Sequence, residues 1–317
     1  MAIAGGNITL DSTEGMDKIS QTDKVTSPYF SDGTTELLAA SIVTSSLTDT
    51  NETYFFGISN SSTLTTEEFN VAFGSLNGFG AAVAANTKSE TEAIYKQYAS
   101  LLLAPTEVTG GFIISSPASA GANSSGRDDE IYILTSRRSN MKDRLNKGNW
   151  QISLSGSNTV GTGPSTVPGD DGLLHLKDDS STTEATATPV GDRYNIVSCS
   201  SAGAIATTST VKNFGFFYPN LGIMVFSANE LSASIPGCFN ERLTTVSFNS
   251  ASGFSPAGSQ QGFGFANTSD DTTNRKTGLR FVNCLALSTG GKLSFRDEED
   301  QVSAQYFCRV RRGQMNF

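Results

Sequence analysis

The residue types that could do chemistry are few in this chain. A single histidine, His175, occurs among 317 residues, so a Ser-His-Asp triad, Cys-His catalysis or an imidazole-held metal would all depend on it. Its context, LLHLKDDS, offers no nucleophile elbow and no second ligand at useful spacing, and the simpler reading is a partly exposed histidine at a strand end. The cysteines Cys199, Cys238, Cys284 and Cys308 are widely spaced, with no C-x-x-C pair, which argues against zinc and redox chemistry. Free thiols, mostly buried, are expected. Cys284 in LRFVNCLAL and Cys308 in AQYFCRVR sit in strand-like runs, where cysteine behaves as a small hydrophobe.

Carboxylates are plentiful, but no local pattern marks one as acid and another as nucleophile, because that distinction depends on their separation in space. The densest run is Asp297, Glu298, Glu299 and Asp300. It reads as a solvated turn or an interface patch, since unpaired carboxylates cannot be buried together. Calcium ligation by this run, by Asp170 and Asp171, or by Asp178 and Asp179 lacks the ligand order and central glycine of an EF-hand. The glycine-rich GSLNGFG lacks the Lys and Ser/Thr of a phosphate-binding loop, so no nucleotide role is assigned. Arg309, Arg311 and Arg312 follow closely on the acidic run. Opposite charges could pair there within one strand edge or between subunits, and these seven residues form the candidate interface. No catalytic residue, cofactor site or metal ligand is assigned, and the N-x-S/T triplets at Asn7, Asn51 and Asn60 are read as polar surface.

What must position these residues is a β-rich scaffold. Hydrophobic residues make up 37 % and charged residues 17 %, while Ser and Thr supply about a quarter of the chain. Thr suits a pleated surface, and Ser and Gly suit turns. A net charge of −9 repels phosphate, which disfavours a nucleic-acid partner. The start, MAIAGGNITL, has no basic n-region, and nowhere does an apolar run reach the roughly 18 residues of a membrane span, so a soluble protein made in the cytosol, with no membrane partner, is expected.

Residues 1–35 are polar and unpatterned and read as an N-terminal arm, extended or disordered, that only a partner could order. Residues 36–156 form a β-rich lobe: TYFFGIS, FNVAFG with one core face, a loop at Gly74–Thr87, then one clear helix over 89–103. That helix opens on a Ser89/Glu92 capping box, presents Ile94, Tyr98, Leu101 and Leu102 on one face, and is stopped by Pro105. Strands GFIIS and EIYILTS, a helical turn over Ser139–Leu145 and a half-buried strand with Trp150, Ile152 and Leu154 follow. Residues 157–191 read as a loop-rich connection. A second β-rich lobe spans 192–317, with RYNIVS, FGFFYP, GIMVFSA, TTVSF, LRFVNCLAL, KLSF and AQYFCRVR at the cadence of a sandwich or barrel of short antiparallel strands.

Three blocks, AIYKQYASLLL, MKDRLNKGNWQISLSGS and FRDEEDQVSAQYFCRVRRGQMNF, resemble a family of virion structural proteins of contractile-tailed cyanobacterial and marine bacteriophages. In that family the last strand is followed by a further β segment, whereas the sequence here ends at Phe317. The resemblance implies a β fold without catalytic residues, many copies per particle, and partners that are copies of the chain and other phage structural proteins. A tail or baseplate component of the virion is expected. The alternatives are a head-associated decoration or neck protein, or a receptor- or glycan-binding fibre module drawing on aromatic loops such as NFGFFYPN and GSQQGFGFANTS.

Overall fold

The computed structural model describes residues 8–10, 16–38, 43–44, 55–59, 66–78, 90–114, 126–154, 173–205, 212–231, 278, 281–282, 285 and 292–308. The elements in chain order are β1 (Ile8–Leu10), β2 (Met16–Pro28), β3 (Glu36–Leu38), β4 (Val43–Thr44), β5 (Phe55–Ser59), β6 (Glu67–Ser75), α1 (Glu90–Leu102), β7 (Glu130–Ser136), β8 (Arg144–Leu145) and β9 (Gln151–Leu154). There follow β10 (Leu174–Asp178), β11 (Thr186–Thr188), β12 (Gly191–Cys199), β13 (Asn213–Tyr218), β14 (Ile223–Ser227), β15 (Lys292–Ser294) and β16 (Arg296–Cys308). Half of these residues lie in strands beside one helix, a mainly-β fold whose large antiparallel sheet curls into a half-barrel.

That sheet runs β3-β15-β9-β10-β12-β13-β14-β7-β6-β5-β4, with β11 hydrogen-bonded to β12. Strands from both expected lobes are interleaved in it: β7 pairs with β14, and β9 lies between β10 and β15. Leu174–Asp178, within the stretch read as a loop, is a central strand. A second sheet of four strands has the order β1-β2-β16-β8.

Both faces of the large sheet are covered in its middle strands, and β7 shows how. Tyr132 and Leu134 face a core with Val71, Phe73, Trp150, Ile152, Met224 and Phe226, while Ile131 and Ile133 face a second core with Ile94, Tyr95, Leu102 and Phe112. A strand buried on both sides loses polar alternation, which is why EIYILTS reads as an unbroken apolar run. The strand after Trp150, expected to be half-buried, is buried at every position: its polar face is covered too, with Gln151 donating to the Ser200 and Ser201 carbonyls and Ser153 in contact with His175.

The helix lies across β6. Its inward residues are Thr91, Ile94, Tyr95, Ala99 and Leu102, so the face is rotated from the expected one: Tyr95 packs inside and Leu101 is 45 % exposed. Gly74 permits the approach, because a Cβ there would meet the Tyr95 backbone nitrogen at 3.0 Å. Gly74 and Ser75 belong to β6, and residues 79–89, with Ser89 of the expected capping box, lie outside the described residues.

Three other local expectations are corrected. GFIIS is not a strand at residues 111–114: Gly111 has φ +67°, and Phe112 and Ile114 dip into the helix-side core. Ser139–Leu145 is a turn that ends in β8, not a helical turn. Positions 281, 282 and 285 of LRFVNCLAL are helical rather than extended, and the 3.6-residue period brings Phe281, Val282 and Leu285 into the first core together. TTVSF lies outside the described residues.

Candidate functional site

The acidic run does not form a turn. It is the first third of β16, whose thirteen residues pair in unbroken antiparallel register with β2, from Arg296 opposite Pro28 to Cys308 opposite Met16. The segment read as an arm is thus extended, and its pairing partner lies in the same chain. The ribbon is rooted in the core: Tyr29 and Phe30, just after β2, and Phe295, just before β16, are buried there.

Side chains alternate across a strand, so the four acids divide between two faces. Glu298 and Asp300 share a face with Arg144 and Lys24. The Arg144 Nε donates to Glu298 Oε1 at 2.7 Å and its Nη2 to Asp300 Oδ1 at 2.5 Å, and Lys24 Nζ lies 3.5 Å from Glu298. Asn146 Nδ2 donates to the other Glu298 oxygen. The hydrogen bond to Asp300 raises the Arg144 pKa, and that bond lowers the Asp300 pKa in turn. On the opposite face Glu299, bonded to Lys142 Nζ at 3.0 Å, is held below its ordinary value by that contact. Asp297 points inward beside Leu145, its Cα partner on β8. It is 1 % exposed, its Oδ1 has no hydrogen-bond partner, and burial pushes its pKa up to about 7.

The physical reason a turn was expected is that clustered carboxylates repel. Here the pleat separates neighbours onto two faces, and three cations from the 142–144 segment and β2 meet them. Arg309, Arg311 and Arg312 lie outside the described residues. Arg144, Lys142 and Lys24 were not singled out in sequence. MKDRLNK shows the charges, but only the pairing of β8 with β16 brings them to the acids.

Beside this cluster a cleft of about 260 Å³ is lined by Lys24, Arg144, Lys147, Asp192, Tyr194 and Asp300, among others. Its cations are committed: Arg144 is shared between two carboxylates, and Lys147 Nζ donates to Tyr194 OH at 2.7 Å, the contact that raises the Lys147 pKa. The chemistry of the arrangement is ion pairing that clamps β16 to β8.

Beyond the clamp the ribbon stands in solvent. Residues 301–306 of β16 and 20–24 of β2 are exposed on both faces, with Val302 at 69 % and Tyr306 at 60 %.

His175 is not a partly exposed strand-end residue. It is 1 % exposed, on a central strand between Ser153 of β9 and Cys199 of β12, and its Nδ1 is 2.7 Å from Ser153 Oγ. A serine–histidine contact closed off from solvent cannot meet a substrate. Cys199 is a free, buried thiol, pushed up to about 11 by burial. Asp178 accepts the Gly148 N–H at 2.9 Å, and Asp179 accepts from the Asn195 backbone and side chain. Among the described residues no group of three or more His, Cys, Asp or Glu side chains is placed to hold a metal ion. Phe214, Phe216, Phe217 and Tyr218 of NFGFFYPN are core residues, while GSQQGFGFANTS lies outside the described residues.

Comparison of the chain with protein-family models, with curated proteins and with solved structures finds no match.

Proposed function

We propose that this chain is a non-enzymatic assembly subunit that acts through contacts made by the β2–β16 ribbon. The particular assembly we propose is a virion of the contractile-tailed bacteriophage type, with the chain in its tail or baseplate and a head-associated layer as the alternative position. One observation carries the reading: a thirteen-pair ribbon, rooted in the core by aromatic residues and clamped by ion pairs, projects a segment exposed on both faces. Two strands with both faces in water are marginal alone, so their maintenance at this length favours a partner that covers them. The resemblance of the FRDEEDQVSAQYFCRVRRGQMNF block, which contains β16, supports the virion reading.

Mass spectrometry of purified particles, separated into heads and tails, tests it. Recovery with tails in fixed ratio to a repeating tail component is expected. Recovery with heads would select the alternative, and absence from both would overturn the proposal.

A further inference from the structure

We infer that the outer edge of β16, from Gln301 to Tyr306, is a strand-addition edge that pairs antiparallel with the same edge of a second copy of this chain. The inference rests on the reading of the ribbon as an assembly contact and names its partner.

The edge itself is defined by the hydrogen bonds. On one side β16 is paired with β2 throughout; on the other β8 covers only Asp297 and Glu298, and among the described residues no strand continues beyond them. The Arg296 carbonyl accepts the Asn146 N–H at 2.8 Å, and the Asp300 N–H donates to Asp143 Oδ2 at 2.9 Å. Backbone groups alternate in direction along an antiparallel strand. Even-numbered residues therefore face the outer edge, and Val302 and Ala304 present their N–H and C=O groups there.

Edge strands normally carry lysine, proline, bulges or inward charges that prevent strand addition. The outer edge of β2 follows that rule, with β1 paired along Asp17–Ile19, Lys24 on the edge beyond it and Pro28 at its end. β16 does not: from Gln301 to Tyr306 it has no charge, no proline and no register shift.

The sequence of the edge is complementary to itself. About a two-fold axis at Ser303, Val302 opposes Ala304 of the second copy and Gln301 opposes Gln305, so apolar meets apolar and amide meets amide. Val302 and Ala304 then exchange both backbone bonds, as their outward groups require. Asp300 falls opposite Tyr306, whereas a parallel alignment would set the acidic residues of the two copies side by side. Such a contact uses the same patch on both subunits and closes as a dimer.

Sedimentation velocity of the full chain, together with two kinds of variant, tests the inference. The wild-type chain is expected to dimerise. Ala304→Pro removes one outward N–H, leaves the β2 ladder its donors, and should weaken the dimer at least about tenfold with an unchanged circular dichroism spectrum. Ser303→Cys should form an intersubunit disulfide under mild oxidation that the wild type does not form, because the facing Cα atoms of such a non-hydrogen-bonded pair lie about 4.5 Å apart. A wild-type chain that stays monomeric up to about 100 µM, with no crosslink from Ser303→Cys, would overturn the pairing. So would a dimer indifferent to Ala304→Pro. Either result leaves recovery of the chain in particles as the separate test of the assembly role.

Discussion

Trp150 and Phe295 stack in parallel, their ring centroids 5.7 Å apart and their planes 2° from parallel. Trp150 immediately precedes β9 of the large sheet, and Phe295 immediately precedes β16 of the ribbon, so this contact ties the two sheets together. Phe295 also meets Phe69 at 4.7 Å and Tyr29 at 6.2 Å. The ribbon thus leaves the core from an aromatic knot and not from a flexible hinge.

Phe295→Ala should remove that knot and cost about 3–5 kcal/mol, the range for truncating a fully buried phenylalanine. The single tryptophan makes the measurement direct, because urea unfolding followed by Trp150 fluorescence reports on the affected site. A loss below about 1 kcal/mol would mean that the two sheets are not joined there.

A second root contact is polar. Glu68 is buried and accepts from the Ser31 backbone N–H at 2.9 Å, the Ser31 hydroxyl and Asn140 Nδ2 at 2.6 Å, while Tyr29 OH donates to its carbonyl at 2.7 Å. Glu68→Ala strands these side-chain-directed donors and is expected to cost about 1–3 kcal/mol or more. Chemical denaturation of the variant beside Glu67→Ala, a less buried neighbour, isolates the effect.

Stability should fall as pH rises toward neutrality. Asp297 and Glu130 are both pushed up to about 7, chiefly by burial, whereas they titrate near 4 in the unfolded chain. Between those values the native state binds more protons than the unfolded state, so stability decreases with pH across the window and is lowest above about 7. Asp178 shifts in the same direction. Urea midpoints at about pH 5 and about pH 8 should show the drop, and Asp297→Asn with Glu130→Gln should flatten it. Asp300 and Glu299, held below their ordinary values, act oppositely: their contribution is present above about pH 4 and is lost as pH falls further.

Gly215, in β13, has no room for a side chain: a Cβ would press on the Val225 carbonyl oxygen and lie 3.1 Å from Phe226 Cα. Gly215→Ala should therefore cost at least about 2 kcal/mol, through displacement of β13 from β14. Gly33→Ala is the contrasting case. Its φ of +81° is strained for alanine, but nothing lies within 4 Å, so a loss of about 1 kcal/mol is expected. Thermal unfolding of the two variants orders them.

The sequence by itself determined the strand content and the identity of most strands, because β-branched and aromatic runs bounded by Gly, Asn and Pro can satisfy their backbone in few other ways. It also determined the one long helix, whose period survives even though the buried face is rotated by about one residue, Tyr95 replacing Leu101. Only the tertiary structure decided that the strand after Trp150 is buried on both faces, since Gln151 and Ser153 alternate with Ile152 and Leu154 as they would with one face in water. It also decided the environment of the acidic run. Four adjacent carboxylates look solvated in one dimension, but pairing of β16 with β2 and β8 brings Lys24, Arg144 and Lys142 to Glu298, Asp300 and Glu299 from sequence positions far away. Register between strands is set by contacts of the whole sheet, and no local pattern encodes it.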